Sequence, residues 1–368
     1  MSDSVTGFWA RLEEYLQYAS ANLKLVENGL TGLEGSYVEL LTILALGLLA
    51  VIPVAVPERR RQLWRHVNQV FGIFIFVFVV FTCLGVFGMI RNLHRGLSEI
   101  GRENIVALYF ASVPVTVLVT AMIFGPSFCG WICPTGALQE FASLLFGRWH
   151  RRRRREGYPF SWQMLGMAVF VGGVFLGWMA YLAKTRVFFA EDASIYWSEV
   201  LILLLLLLVW RMGAWDRRLR RLRYVSLGII LLAAAANLRV TSPVHFGFSK
   251  VYDPASILAT VMVVLAALVV PHVWCRYLCP WREAIAWAAR HSVRRLETDR
   301  ARCTRCGRCD EVCGVDAIER GAIDAHECHL CLKCADACPE GAIRIRDIWK
   351  AEEAGPSSPP NSVTENEA

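Results

Sequence analysis

The sequence CTRCGRCDEVC at residues 303–313, repeated as CHLCLKCADAC at residues 328–338, decides the fold of the C-terminal part of the chain. Each copy reads C-x2-C-x2-C-x3-C, a spacing that wraps three thiolates around one 4Fe–4S cluster and sends the fourth to a neighbouring cluster. Zinc modules built from C-x2-C pairs have longer and less regular spacers. Two tandem copies therefore predict an α+β ferredoxin-like domain that binds two 4Fe–4S clusters.

Crossed ligation divides these eight cysteines into two sets of four. The first cluster would be held by Cys303, Cys306, Cys309 and Cys338, and the second by Cys328, Cys331, Cys334 and Cys313. Such a short segment buries little apolar surface, so we expect it to be unfolded without iron. Gly314 stands where the motif expects proline, which loosens that turn. Because the ligand sets are complete, His326 and His329 are interpreted as exposed polar residues.

The chain upstream of this domain is apolar. Of the 368 residues, 55% are hydrophobic and 19% are charged, and the mean hydropathy is +0.40, which excludes an ordinary soluble enzyme. A membrane-spanning helix needs about 20 apolar residues. Seven stretches approach that length, at residues 38–56, 69–90, 105–127, 162–182, 195–212, 224–241 and 255–274. The predicted fold class is an all-α polytopic membrane helical bundle of six or seven spans, followed by the ferredoxin-like domain.

Basic residues between the apolar stretches predict the orientation of the bundle. Three alternate loops are rich in arginine, at residues 59–65, 148–155 and 217–223. Because basic loops are retained on the cytoplasmic side, we expect a multi-pass protein of a bacterial inner membrane with a cytoplasmic C-terminal domain. The net charge of +7 is interpreted as this topological signal, so no nucleic-acid partner is predicted.

The chain is divided into four predicted parts. Residues 1–36 form an amphipathic segment, which lies at the membrane interface or packs on the bundle. Residues 37–292 form the bundle, residues 293–350 the ferredoxin-like domain, and residues 351–368 a polar tail that we expect to be disordered. No cleaved signal peptide is visible in the first 36 residues.

Two further cysteine pairs stand at the predicted cytoplasmic ends of two spans. They lie in FCGWICP at residues 128–134 and WCRYLCP at residues 274–280, and comprise Cys129 with Cys133 and Cys275 with Cys279. Cysteines at i and i+4 share one helical face. The proline after each pair suits the start of a new helix, so Cys133 and Cys279 are expected near N-caps, where the helix dipole favours a thiolate.

If the two halves of the bundle pack by pseudo-symmetry, the four cysteines converge on one thiolate site. Such a site suits iron, an iron–sulfur cluster or another soft metal, or it could act as a reversible dithiol. The plain alternative is that small apolar side chains let the helices approach closely. Cys83, alone in the second predicted span, is interpreted as a packing residue.

The combination of C-x3-C-P at two span ends with two ferredoxin motifs resembles the NosR/NapH-like membrane iron–sulfur proteins of anaerobic respiration. The resemblance implies electron transfer between the quinone pool, or a cytoplasmic donor, and a periplasmic reductase system such as nitrous-oxide or nitrate reduction. By this resemblance, the twelve cysteines named above would act as ligands. Arg282 departs from the family pattern, which often has glycine there, and 36 residues cannot hold the flavin domain that precedes the membrane part in NosR-type members.

Two other functions stay open at this point. The four cysteines of the C-x3-C-P motifs could serve a maturation or regulatory factor that reduces or transfers metal for a periplasmic metalloenzyme. A passive scaffold that docks a ferredoxin-like partner is the third hypothesis.

Four histidines near span ends are interpreted as polar anchors or quinone-head contacts: His66, His94, His245 and His272. An enzymatic role, as a quinol dehydrogenase subunit, is left undecided.

Overall fold

A computed structural model describes residues 48, 49, 52, 58–74, 105–148, 150, 162–184, 197–207, 212–235 and 254–347. The amphipathic N-terminal segment, Cys83, the arginine run at 151–155 and the predicted disordered tail lie outside the described residues. Eleven α-helices are described upstream of the ferredoxin-like segment, together with a short 3-10 helix, Glu58–Arg60. The helices are α1 (Arg61–Phe74), α2 (Ile105–Phe124), α3 (Ser127–Trp131), α4 (Pro134–Leu144), α5 (Trp162–Lys184), α6 (Trp197–Leu207), α7 (Met212–Leu219), α8 (Leu222–Ala235), α9 (Pro254–Val269), α10 (Val273–Tyr277) and α11 (Trp281–Ala289).

Helices α2, α5, α6, α8 and α9 coincide with predicted apolar spans. Helix α1 does not coincide with a predicted span. It begins at Arg61, within the basic loop, and continues past Gln69, where the predicted second span begins. None of the helices in the described ranges has both the length and the apolar character that crossing a membrane requires.

Helix α9 lies at the centre of the packing and contacts α4, α5 and α6. Helix α11 packs on α2, and α1 packs on α3 and α4. The largest fully buried apolar side chains include Trp131, Trp274 and Tyr277, which belong to the two short helices that carry the C-x3-C-P motifs. The core is therefore densest where those motifs lie, which holds their backbone in a fixed place.

The ferredoxin-like segment is α+β, as predicted. Strand β1 (Arg294–Thr298) pairs antiparallel with β4 (Ile343–Asp347), and β2 (Ile318–Glu319) pairs with β3 (Ala322–Ile323). Two equivalent helices, α12 (Arg308–Val312) and α13 (Lys333–Ala337), pack on each other and display the sequence repeat. Each follows a residue in the left-handed conformation, Gly307 or Leu332.

The segment lies directly on the bundle. The backbone N–H of Val293 donates to the carbonyl oxygen of Met122 at 3.3 Å, just before β1 begins. Gly125 has a φ of +73°, and a Cβ there would lie 3.0 Å from the carbonyl oxygen of Arg294. A glycine is needed here because the conformation is left-handed and the backbones touch.

Candidate iron–sulfur sites

The structure brings the first predicted ligand set to one recess. Cys303, Cys306 and Cys309 line it together with Cys338 from the other motif. We call these four the outer set. The crossed arrangement that the spacing predicts is therefore present in the fold, because the packing of α12 on α13 carries Cys338 to the first motif.

The second predicted set, which we call the inner set, also comes together from both motifs. Burial, together with the charges of Cys331 and Cys313, raises the pKa of the Cys328 thiol to about 12. Burial and the same neighbours raise the pKa of Cys334 as well. Cys313 of the first motif therefore lies within electrostatic reach of Cys328 and Cys334 of the second.

Backbone N–H groups point at sulfur atoms in both sets. Ala317 donates to Cys313 Sγ at 3.2 Å, and Leu330 donates to Cys328 Sγ at 3.3 Å. Ala342 donates to Cys338 Sγ at 3.3 Å. Such N–H···S bonds stabilise thiolate ligands and tune the reduction potential of an iron–sulfur cluster. The residues present therefore fit clusters at the outer and inner sets.

The four C-x3-C-P cysteines line a third recess. We call them the paired-motif set: Cys129, Cys133, Cys275 and Cys279. Sequence analysis brought these four together by pseudo-symmetry, and the structure places them around one space. In the described ranges no three His, Cys, Asp or Glu side chains are grouped as a ligand set for a single metal ion.

The two motifs repeat each other in backbone geometry, although not as a continuous helical face. The N–H groups of Ile132 and Cys133 both donate to Phe128 O, at 3.0 and 2.9 Å. Those of Leu278 and Cys279 both donate to Trp274 O, at 2.9 and 2.8 Å. Each short helix thus ends between its two cysteines, so the expectation of one helical face was wrong and a tight turn aims the second sulfur instead.

The expected effect of the helix dipole on these sulfurs is also corrected. Cys133 is the N-cap of α4, and the N–H groups of Gly136 and Thr135 act to lower the pKa of its thiol, but burial outweighs them and raises it. Burial raises the pKa of Cys279 to about 12, and the N-cap of α11 is Pro280. A metal that binds here must displace the thiol protons.

Buried hydrogen-bond donors face the paired-motif recess. Arg282, 1% exposed, lines it and donates through Nη2 to the carbonyl oxygen of Cys328 at 3.0 Å. Its Nε and Nη1, and the indole Nε1 of Trp281, have no hydrogen-bond partner among the described residues. Buried polar groups are almost always satisfied. Unsatisfied donors and a positive charge beside four sulfurs fit a negatively charged, thiolate-ligated cluster.

Gln139 joins the two halves of the paired-motif set and was missed by sequence reasoning. Its Nε2 donates to Cys275 Sγ at 3.3 Å, and its Oε1 accepts the N–H of Trp274 at 2.9 Å. The side chain is fully buried. Its partners lie more than 130 residues away in the chain, so no local pattern could have identified it.

The paired-motif set and the inner set are adjacent. A Cβ at Gly130, between the first two cysteines, would lie 2.4 Å from the carbonyl oxygen of His329 and 3.3 Å from Cys331 Cα. The indole Nε1 of Trp131 donates to Leu330 O at 3.0 Å. The loop that carries Cys328 and Cys331 therefore rests on the backbone of the first C-x3-C-P motif.

The prediction that His329 is exposed was wrong. His329 is 4% exposed, and burial together with the charge of Arg282 holds the pKa of its imidazole well below the usual value. Its ring lies 5.5 Å from that of His272, edge to face. A Cβ at Gly314 would lie 2.7 Å from His272 Cδ2, so the glycine that replaces the expected proline makes room for this imidazole.

Two networks of buried ion pairs fasten the ferredoxin-like segment to the bundle. In the first, Glu140 pairs with Arg65 and, at 2.6 Å, with Lys333 of α13. In the second, Glu327 pairs with Arg223 and, at 2.9 Å, with Arg220. Arginines interpreted as topology markers are thus partly internal cations, since Arg65, Arg220 and Arg223 are all buried.

Two family models, both described as a 4Fe–4S binding domain, match the chain. One covers residues 106–155 and 252–297, which hold the paired-motif set, and the other covers residues 296–319 and 322–344, which hold the outer and inner sets. The prediction that this chain binds iron–sulfur clusters is confirmed at this level, and the number of clusters stays a prediction.

Curated relatives agree with this result. An uncharacterized protein of Methanocaldococcus jannaschii is 22% identical over 289 residues, which are 78% of this chain and 89% of the relative. The regulatory protein NosR of Pseudomonas aeruginosa is 29% identical over 58% of this chain and 24% of its own length. The ferredoxin-type protein NapH of Escherichia coli is 28% identical over 36% of this chain and 52% of its own. No solved structure matches.

Proposed function

Because the chain belongs to the NosR/NapH-like family of 4Fe–4S electron-transfer proteins, we propose that it is an integral electron carrier of a bacterial inner membrane. It passes electrons between the quinol pool, or a cytoplasmic donor, and a periplasmic reductase system of the nitrous-oxide or nitrate type. The apolar stretches and basic loops of the sequence support the membrane location.

The observation that carries this proposal is the order of the three cysteine sets. The outer set shares its two motifs with the inner set, and the inner loop rests on the first C-x3-C-P motif through Gly130 and Trp131. A 4Fe–4S cluster accepts and releases one electron at a time. In the proposed path the three sets follow one another from the exposed Cys306 to the predicted membrane face.

We assign an iron–sulfur cluster, in place of a dithiol, to the paired-motif set. The unsatisfied donors of Trp281 and Arg282 support an anionic occupant, and a disulfide would leave them facing a neutral group. Iron quantitation with EPR on the purified protein tests the assignment. About twelve irons are expected, falling to about eight in Cys129→Ser and Cys275→Ser variants, since each cluster holds four. A wild-type content of about eight would contradict it.

The electron-carrier function is tested in membranes. Quinol, or a reduced cytoplasmic donor, should reduce the clusters at a rate that supports respiration, read from their visible absorbance and EPR. If neither donor reduces the clusters of the wild-type protein, the proposal is wrong.

A maturation or regulatory role is the second candidate, and the open recess around the paired-motif set favours it, because a metal could enter and leave there. In that case, replacing Cys129 and Cys275 by serine would leave the periplasmic reductase present but depleted of metal. A fully metallated reductase in such a strain would exclude this role. Metal analysis of the reductase therefore separates the two functions.

A further inference from the structure

We propose that four exposed arginines around the outer set form a docking face for an acidic, soluble redox protein. The face comprises Arg300, Arg302, Arg305 and Arg308, all exposed, and we call it the basic face. The inference rests on the proposed electron-carrier function and names the kind of partner that exchanges electrons at the outer set.

The outer set is the one that a partner can reach. Among the twelve cysteines that the structure describes, Cys306 alone is exposed. Two members of the basic face, Arg305 and Arg308, line the same recess as Cys306, and Glu340 is the carboxylate beside them. An electron-transfer partner needs its own centre close to the accepting cluster, and this recess is where the protein covers the cluster least.

The sequence around the outer set is strongly positive. Residues 300–309 contain four arginines and no acidic residue. The flanking carboxylates accept hydrogen bonds from neighbouring backbone: exposed Asp299 accepts the N–H of Ala301 at 3.0 Å, and half-buried Asp310 accepts the N–H of Arg320 at 2.8 Å. A concentrated positive field of this kind raises the association rate of a negatively charged partner.

The basic face differs from the arginines that fasten the ferredoxin-like segment to the bundle. Arg65, Arg220 and Arg223 are buried and form ion pairs with internal carboxylates, whereas the members of the basic face are exposed to solvent. Their exposure adds little to folding stability, because exposed charges are screened by water. An external anionic surface accounts for four such charges at one redox site.

The position of the face favours a soluble protein over a lipid surface. Strand β1 leaves the bundle at Val293, whose N–H reaches Met122, and runs five residues, roughly 15 Å, before the outer loop begins. The inner set, in contrast, rests on the bundle through Gly130. The basic face therefore begins beyond the end of the strand that starts at the bundle, whereas the inner set rests on the bundle itself.

The transfer at this face is a single electron step. The reduced iron–sulfur cluster of the partner loses one electron, the cluster at the outer set gains it, and no bond or proton moves. A small ferredoxin with an acidic surface has the required chemistry, since its carboxylates complement the arginines and its cluster lies near its own surface.

The test uses the full-length protein in nanodiscs of neutral lipid, mixed in a stopped-flow instrument with a reduced, acidic two-cluster ferredoxin. The triple variant Arg302→Gln, Arg305→Gln and Arg308→Gln should lower the second-order rate about tenfold at low ionic strength and flatten its salt dependence. The matched control removes the same charge from an exposed site elsewhere, with Arg217→Gln, Arg218→Gln and Arg221→Gln, and should stay within about twofold of the wild type. Dithionite should reduce all three proteins to the same extent.

Each of the following results would overturn the docking face. Equal ferredoxin rates in the two triple variants would do so, as would a wild-type rate that rises with salt. If phosphatidylglycerol in the nanodisc slows the wild type but not the Arg302 triple variant, the arginines bind lipid headgroups instead. Clusters that exchange electrons with quinol but not with ferredoxin would refute the docking face alone. Clusters that dithionite reaches, but that neither quinol nor ferredoxin reaches, would refute the carrier function as well.

Discussion

Arg282 occupies, in the second C-x3-C-P motif, the position that Gly136 holds in the first. A Cβ at Gly136 would lie 3.0 Å from the carbonyl oxygen of Cys129, so the first motif needs a glycine there, whereas the second places a buried cation in the recess. A positive charge beside a cluster favours its reduced form, because reduction adds negative charge.

Arg282→Gln should therefore lower the midpoint potential of the paired-motif cluster. We expect a shift on the order of 60 mV, equivalent to a tenfold change in a one-electron equilibrium. Arg282→Lys keeps the charge and serves as the control. The potential is measured by redox titration followed by EPR, and equal potentials in the glutamine and lysine variants would show that the charge of Arg282 has no influence.

Gly314 gives a second prediction at the level of single residues. Gly314→Ala places a Cβ 2.7 Å from His272 Cδ2 and should cost about 1–3 kcal/mol of folding stability by overpacking. The double variant with His272→Ala should recover most of that loss, because the clash is removed. Thermal unfolding of the cluster-loaded protein measures both. An equal loss in the single and double variants would contradict the assigned contact.

Sequence reasoning could predict the grouping of residues that follows from local spacing, and the structure places Cys338 in one recess with Cys303, Cys306 and Cys309. The crossed partition of the eight ferredoxin cysteines follows from C-x2-C-x2-C-x3-C alone. It failed for Gln139 and Glu140, whose partners come from distant parts of the chain. It also failed for His329, because a residue between two ligands gives no sign of whether another element covers it.

At the scale of elements, the two C-x3-C-P motifs show why an i, i+4 argument was incomplete. The periodicity assumes an unbroken helix. Both helices end two residues before the second cysteine, at Trp131 and Tyr277. The proline after each pair already indicated a boundary. The repeat in sequence thus predicted that the two motifs share one backbone geometry, but not that each helix ends between its two cysteines.

Glu140 is the carboxylate through which α1, α4 and α13 are joined. Glu140→Gln should weaken the attachment of the ferredoxin-like segment by about 3–5 kcal/mol, because it leaves the buried charge of Arg65 unpaired. Hydrogen exchange of residues 294–347 reports this loss. Glu297→Gln is the matched control: it breaks an exposed pair with Arg346 and should cost at most about 1 kcal/mol. Equal protection in the two variants would contradict the role of Glu140.

The same contact makes the attachment sensitive to acid. Burial acts to raise the pKa of Glu140, but the hydrogen bond and charge of Arg65 hold it well below 4.5. A carboxylate with a lowered folded-state pKa contributes its full stability above the unfolded value and loses it as the pH falls through the folded value. Hydrogen exchange of the segment should therefore accelerate below about pH 4.5 in the wild type, and less so in Glu140→Gln.

At the scale of the whole molecule, the charge of the chain has more than one role. Sequence analysis assigned the net charge of +7 to membrane topology. Among the described arginines, some are buried and pair with carboxylates that fasten the ferredoxin-like segment, and others are exposed, including the basic face around the outer set. Composition could not separate these roles, because exposure and pairing depend on the tertiary fold. The membrane bundle itself stays a prediction from the apolar stretches.

Iron removal tests how the two parts depend on each other. The ferredoxin-like segment has few buried apolar anchors, such as Leu296, Ile318 and Ile343, and eight cysteines that would be left as thiols. Chelation should therefore abolish the hydrogen-exchange protection of residues 294–347, since cluster binding supplies most of their folding energy. Helix α9, which packs on α4, α5 and α6, should keep its protection. Restoration of iron and sulfide should return the segment to its protected state. If residues 294–347 stay protected without iron, the two ion-pair networks are sufficient to fold the segment, and the clusters contribute redox chemistry alone.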